Sequence, residues 1–521
     1  MNVIAHPAAV SGVATDDLDR FRLRRFIDSL AGTEELERRD GPVDLAGIAQ
    51  ILEGNPRAVH FRAIWPNVQE LVGNVMSSRS RIAHAFGVAP DKLAAEIARR
   101  LANRQQIVEV NGPAEAPVQE VVLAGDAADL TTLPVHLQHG LDGAPYISAS
   151  IDYTIDPRTG WTNVGIRRMM LRGRREAGVD LVSPSDLRAL YEASAAAGKP
   201  LPVSFVVGAH PADYVAAMMR MPVDELGIVA SLRDAALPVV KCVTNDIRVP
   251  ADAEMVLEGF FDARGHVESE GPYGEFLGYY GAVKRNPVFH LTAITRRRDA
   301  LFQTATIGGR AMSSTDTAIL GAVRTEVMLW KALEIAVREP VAVHATASSG
   351  GNFNVRVALR QRVPGEARNA IAACMSALVN VKNVFVVDPD IDVTSDEQID
   401  WALATRFQPD RDLIVVSGMR TLPLDPSITS GRVGSKAGFD LTWPFGTGNR
   451  METRVPEPPR FEGPRFESVE AALRDGPKFF EELMTAAGSR DGREIVRDLD
   501  ALRSRPGLDR DQEGRYVILG L

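Results

Sequence analysis

The stretch ISASIDYTID, residues 147–156, sets apolar side chains at every odd position and polar ones at every even position. A period of two is the signature of a strand that turns one apolar face inward. Five more runs nearby read as strands: NVGIRRMML from Asn163, VSFVVG from Val203, PVVKCVTNDIRVP from Pro238, EMVLEGFF from Glu254 and VFHLTAIT from Val288. Among them SPSDLRALYEASAAAG (183–198) opens with Ser/Pro/Asp chemistry and closes on Gly198, which predicts a helix. Residues 118–310 therefore form a sheet-based α+β domain.

Outward from that domain the pattern changes. On the N-terminal side LDRFRLRRFIDSLAG (18–32) and KLAAEIARRLANR (92–104) have helical spacing broken by Gly and Pro, giving a lobe over 18–117. On the C-terminal side VRTEVMLWKALEIAVRE (323–339) and EARNAIAACMSALVN (366–380) read as helices. VFVVD (384–388) and LIVVSG (413–418) read as strands, an α/β domain over 311–450. The Pro-rich METRVPEPPRFEGPRF (451–466) opens a tail of short charged helices over 451–521, expected to pack on a neighbouring subunit or stay partly loose. Residues 1–17, MNVIAHPAAVSGVATDD, have neither a basic start nor an apolar core and read as a loose tail.

At 521 residues the chain is long enough for two or three domains. No run approaches a membrane span, and a net charge of -9 with interleaved signs argues against nucleic acid. Its two cysteines, Cys242 and Cys374, lack CxxC spacing, so no disulfide framework or thiolate metal site is expected. A small-molecule partner and a cytoplasmic location follow.

ESEGPYGEF (268–276) places Glu270 and Glu275 around a Gly-Pro-Tyr-Gly insert. Regular structure would separate two acids at that spacing, but Pro272 and Gly274 favour a tight turn, with Gly271 extended, that folds both back to one point. Two carboxylates so placed repel, which raises one pKa and suits that group to carrying a proton. A solvated acidic hairpin tip is the alternative, and these residues alone leave both open.

Other chemistry-bearing residues are scattered. Asn163 and Arg168 share a strand pattern but fall on opposite faces unless a bulge intervenes, and Gly165 leaves room for a ligand. Asn163, Asp186 and Glu225 are hard oxygen donors suited to Mn²⁺ or Mg²⁺, although Asp186 equally fits a helix N-terminus and Glu225 an exposed acid. His136 and His139 lie in a Pro/Gly-bounded loop without a third ligand, better read as structural or substrate-facing than as zinc. GRVGSKAGFD (431–440) lacks the order of a phosphate loop, yet Lys436 on a Gly-flanked loop could reach a phosphate. There is no GxSxG, HExxH or GxGxxG.

In order along the chain, WTNVGIRRMML, SPSDLRALYE, PVSFVVGAHPADYVAA, PVVKCVTNDIRVPADAEMVLEG, SEGPYGEFLGYY and GSKAGFDLTWP resemble the UbiD family of reversible decarboxylases, which use prenylated FMN. The resemblance implies a central split-β-barrel flavin-binding domain, an N-terminal α/β lobe and a C-terminal α/β oligomerisation domain. It implies that Glu275 is the proton donor and that an Arg168–Glu270 ion pair orients it and tunes its pKa. It places the cofactor against Asn163, Ile166, Arg167, Arg168, Glu225 and Lys436, with Lys436 near the phosphate. Mn²⁺ (or Mg²⁺) would sit on Asn163, Glu225 and Asp186, the last standing where the family usually has a His. K⁺ would sit by the backbone carbonyl of Trp161. The activity implied is non-oxidative decarboxylation of an aromatic, heteroaromatic or α,β-unsaturated carboxylic acid, with a flavin prenyltransferase as cofactor source and a homo-oligomer, dimer or hexamer, as assembly. Ile319, Leu320 and the loop after Pro423 are candidate pocket residues. A flavin oxidoreductase is the competing enzyme reading, without a visible nicotinamide site; a non-catalytic assembly subunit is opposed by Arg168, Glu270 and Glu275 occurring together.

Overall fold

A computed structural model describes residues 18–428, 433–448, 450–503 and 507–519. The expected N-terminal tail, 1–17, and the first two residues of GRVGSKAGFD lie outside the described residues.

Six of the strands close into one antiparallel barrel. They are β1 (Tyr146–Ile155), β2 (Thr162–Leu171), β3 (Glu176–Val179), β4 (Leu201–Val207), β5 (Met255–Phe261) and β6 (Val288–Arg296). The order runs β5–β4–β1–β2–β3–β6, and β6 pairs back with β5 to complete the ring. Val121–Ala124 adds a further strand beside β6. The run from Pro238 is a short hairpin, Leu237–Lys241 against Arg248–Pro250, turned where the side-chain Oδ1 of Asn245 accepts from the Ile247 amide.

Helices α1 (Asp186–Ala196), α2 (Pro211–Met218) and α3 (Glu225–Arg233) sit among these strands. The sequence places the first of them where it is found: Ser185 caps it, its hydroxyl accepting from the Arg188 amide. One buried cluster takes Ile147, Met169, Val203, Phe205, Leu257 and Phe289 from strands around the barrel. A second takes Ala149, Ile151 and Tyr153 of β1 together with Tyr214 of α2 and Leu226 of α3.

Ile147 and Ala149 would share a face on an unbroken strand. They part because the β1–β2 ladder slips between Ile147 and Ser150, a bulge that reverses the alternation from there on. The polar half of ISASIDYTID is consequently buried as well: Ser148, Ser150, Asp152 and Thr154 are all shielded from solvent.

The N-terminal lobe carries a five-stranded sheet that includes Leu36–Arg39, Ala58–Trp65 and Gln69–Gly73. Its last strand comes from far along the chain: Phe302–Gln303 pairs in parallel with Leu71 and Val72. Beyond the barrel, α4 (Asp316–Ala336) and α5 (Glu366–Ala377) cover a mixed five-stranded sheet. Lys436 lies within its strand Val433–Asp440, not on a loop as expected. The two glycines that suggested a loop mark close packing instead: a Cβ on Gly438 would stand 2.3 Å from Ile371 Cγ2.

Residues 361–365 and 442–521 form a separate compact unit. Its short helices, Val469–Asp475, Phe480–Ala487 and Gly492–Arg503, were expected; its two-stranded ladder, Leu508–Arg510 with Tyr516–Ile518, and its own core of Leu473, Leu483, Ile495 and Tyr516 were not. Among the described residues no helix is long and apolar enough to cross a membrane. Both cysteines are free and buried.

Candidate active site

The acidic turn and β2 meet at Arg168. Its guanidinium contacts Glu270 at 3.2 Å and Glu275 at 3.1 Å, so the Gly-Pro-Tyr-Gly insert does bring both acids to one point. Glu270 ends the short strand Glu268–Glu270 and Glu275 directly follows the short strand Tyr273–Gly274; the two strands pair with Lys284–Asn286 and Tyr280–Gly281. Gly271 between them has φ +91° rather than the extended conformation expected before proline, a conformation that suits glycine. Glu270 is fully buried and Glu275 nearly so, which removes the solvated hairpin tip. Glu268 is partly exposed and pairs with Arg172 at 3.1 Å.

Two further residues complete the cluster, and no motif in the sequence marked them. Asp180 takes Arg168 Nη2 at 3.0 Å, and Lys284 bridges Asp180 at 2.9 Å and Glu275 at 3.5 Å. The expected Arg168–Glu270 pair is thus a network of three acids and two cations. Burial alone would push the Asp180 carboxyl up, but Arg168 and Lys284 outweigh it and hold it at about 2. Burial opposes the charge of Arg168 too, and the carboxylates around it, Glu275 first, keep it protonated far above neutral pH. Glu270 also accepts from the Tyr146 hydroxyl at 2.9 Å and from Asn286 Nδ2 at 3.3 Å, and Arg168 lies 4.7 Å over the Tyr273 ring.

A cavity of about 610 Å³ adjoins this network, of a size that takes a cofactor. Arg167 and Phe276, the chain neighbours of Arg168 and Glu275, line it, as do Ile166, Ser148, Leu320 and Pro423. Ile319, also expected at a pocket, is not among the lining residues. Arg220 and Arg324 stand in the same wall, and no carboxylate among the described residues pairs with either; Arg324 Nε donates to the Met218 carbonyl at 3.0 Å.

Asn163 and Glu225 come together at the start of α3. Asn163 Nδ2 and the Val164 amide both donate to Glu225 Oε2, at 2.9 and 2.5 Å. Burial, reinforced by the charges of Asp186 and Asp152, raises the Glu225 carboxyl to about 7. Asp152 is wholly buried, neither of its oxygens has a hydrogen-bond partner, and its nearest cation is Arg167 at 3.7 Å. Buried carboxylates in search of positive charge and hard oxygen donors suit a divalent ion. Asp186, at the first turn of α1, acts on Glu225 through its charge; among the described residues no three His, Cys, Asp or Glu side chains form a ready ligand set. The Trp161 carbonyl accepts from the Asp156 amide at 2.9 Å.

Lys436 is buried and donates to the carbonyls of Met375 and Leu378 at the end of α5, at 2.7 and 3.0 Å; burial lowers it to about 8. Its ammonium is engaged there and not extended on a free loop. His136 and His139 lie in an irregular segment, as expected, and line a second cavity of about 480 Å³.

Known proteins match this chain in sequence and fold. Residues 27–101, 110–311 and 318–441 match the N-terminal, Rift-related and C-terminal domains of the UbiD, 3-octaprenyl-4-hydroxybenzoate carboxy-lyase, family. Anhydromevalonate phosphate decarboxylase of Methanosarcina mazei is 30% identical over 377 residues, 72% of this chain and 85% of that protein. The UbiD-class enzyme HmfF from Pelotomaculum thermopropionicum, solved with FMN, superposes with a TM-score of 0.78 at 32% identity over 84% of this chain and 97% of its own. An evolved dimeric form with prFMN gives 0.75 at 30% identity over the same shares. The 3,4-dihydroxybenzoic acid decarboxylase of Enterobacter cloacae, in its apo form, gives 0.77 at 27% identity over 85% and 97%. Domain matches and fold define a carboxy-lyase built around a closed barrel. The chain belongs to the UbiD family.

Proposed function

We propose that this decarboxylase acts on an aromatic, heteroaromatic or α,β-unsaturated carboxylic acid, with prenylated FMN held in the 610 Å³ cavity. The observation that carries the reading is Arg168 gripping Glu270 and Glu275 where their neighbours Arg167 and Phe276 line that cavity. The FMN and prFMN complexes of its structural relatives, and the acids in its relatives' names, support it.

Bound there, the prenylated flavin would supply the sink for the electron pair left when the bond to CO₂ breaks. Glu275 delivers a proton to the carbon that loses CO₂. Arg168, fixed by Glu270 and Asp180, sets the direction of the Glu275 carboxyl, and Lys284 steadies its second oxygen. Arg220 and Arg324 offer unpaired positive charge to the cofactor phosphate, the role expected of Lys436. Asn163 and Glu225 hold Mn²⁺ or Mg²⁺, with Asp186 and Asp152 contributing charge, and the Trp161 carbonyl serves K⁺. Residues 18–117, 118–310 and 311–450 act as lobe, flavin domain and oligomerisation domain of a cytoplasmic homo-oligomer, supplied with cofactor by a flavin prenyltransferase.

Protein co-expressed with a flavin prenyltransferase should carry an altered flavin spectrum and release CO₂ from at least one member of a panel of such acids. Glu275→Gln should abolish release and leave the spectrum in place. Flavin reduction by NAD(P)H with no CO₂ from any acid would replace the reading with an oxidoreductase.

A further inference from the structure

The segment from Gln138 to Gly143, QHGLDG, lies under the acidic turn and grips it at successive residues. The Gly143 amide donates to the Pro272 carbonyl at 2.8 Å, and the Tyr273 hydroxyl donates to Gln138 Oε1. The Gly274 amide donates to Asp142 Oδ1 at 2.9 Å, and the Leu141 amide donates to the Tyr280 hydroxyl at 3.0 Å. Asp142 is the centre of this grip. Its side chain is fully buried, and its other oxygen takes the His139 amide at 2.9 Å and His139 Nδ1 at 3.0 Å.

Contact between the two segments is as close as backbone permits. A Cβ on Gly274 would lie 2.4 Å from His139 Nδ1, and one on Gly143 would lie 2.4 Å from the Gly271 carbonyl oxygen. The His139 ring stands edge-on to Tyr273, with centroids 5.6 Å apart. The amide Asp142 holds belongs to the residue immediately before Glu275. From there the chain is tied by two more backbone bonds, the Glu275 amide to the Tyr279 carbonyl at 2.8 Å and the Gly278 amide to the Glu275 carbonyl at 2.9 Å. The Glu275 side chain itself is fixed only at its tip, by Arg168 and Lys284.

We propose that Asp142 is a positioning residue: through the Gly274 amide it sets the backbone from which Glu275 reaches Arg168, and His139 orients its carboxylate. Among the described residues no hydrogen bond or ion pair joins Asp142 to Arg168, Glu270 or Glu275, so its effect on them passes through the turn. The inference rests on the reading of Glu275 as proton carrier, but its test uses neither substrate nor flavin.

The test is a double-mutant cycle on the full chain, read by urea unfolding. If Asp142 acts through the turn, the ion pairs of Glu275 are already weakened in Asp142→Asn. The factor by which Glu275→Gln changes the unfolding equilibrium constant should then be at least about threefold smaller in that background than in the wild type, whereas separate local roles would add. Amide exchange in the peptide spanning 270–279 should rise about tenfold in Asp142→Asn. His139→Gln, which keeps the Asp142–Gly274 bond, repeats the cycle should Asp142→Asn not fold, with a reduction in the same direction. Equal Glu275→Gln factors in all backgrounds, or unchanged exchange at 270–279, would overturn the proposal. Absence of CO₂ release from every acid would instead count against the decarboxylation chemistry and leave the cycle readable.

Discussion

Asp180→Asn should cost about 2 kcal/mol at pH 7, and the loss should have a particular pH dependence. The native carboxyl is held at about 2 against an ordinary 3.8 by Arg168 at 3.0 Å and Lys284 at 2.9 Å. A native pKa below the unfolded one means that the unfolded chain binds more protons between the two values. The stabilisation is therefore complete above pH 3.8 and is lost as pH falls through 2. At about 1.36 kcal/mol per pH unit, the separation is worth ~2.4 kcal/mol at neutral pH and roughly half that at pH 3. The Asp180 side chain is only 13% exposed, so solvent screening takes little from this figure. Asparagine keeps the shape and can still accept from the Val182 amide, so the charge is what is removed. Urea unfolding of wild type and variant at pH 7, 5, 4 and 3 measures the gap directly. A gap below about 0.5 kcal/mol at pH 7, or one that stays constant down to pH 3, would refute the network as drawn.

Gly281→Ala would place a Cβ 2.6 Å from Glu275 Oε1. A side-chain tip can yield, so the melting temperature should hold while CO₂ release falls about 100-fold, seen by comparing kcat with thermal unfolding. Arg233 is buried between Asp213 at 2.6 Å and Asp252 at 2.7 Å, and Arg233→Met should cost about 3–5 kcal/mol in urea unfolding by stranding both acids. Arg324→Ala should weaken FMN binding by about tenfold and leave riboflavin, which lacks the phosphate, unaffected; fluorescence titration with both flavins makes the comparison.

Local signals were legible wherever chemistry between chain neighbours settles the matter. Ser185 caps the helix that its sequence predicts, and five of the six barrel strands fall on the runs that alternate or cluster β-branched residues; β3, too short to show a pattern, does not. The convergence of Glu270 and Glu275 was suggested by the turn, but their common partner Arg168 came only through family resemblance, because pairing across the fold leaves no local trace. Asp180 and Lys284 were missed for the same reason: each becomes an ion-pair partner only when β3, the segment after it and the strand Lys284–Asn286 come together. Lys436 was misplaced because a glycine flank reads alike for a loop and for a strand pressed by a helix, and the Ile371 contact at Gly438 tells which. The bulge in β1 could not be read at all, since ISASIDYTID alternates without a break while its faces exchange.

The strand Phe302–Gln303 has a consequence for how the chain is made. It completes the edge of a sheet whose neighbouring strand, Gln69–Gly73, leaves the ribosome long before it. At ~5–20 residues per second, roughly 230 residues of synthesis leave that edge unpaired for about 10–50 seconds. The lobe that emerges first is thus finished only after every barrel strand has been made, and for that interval its open strand is available to other nascent chains. Production in a host should accordingly depend on temperature and chaperone supply more than the completed barrel would suggest.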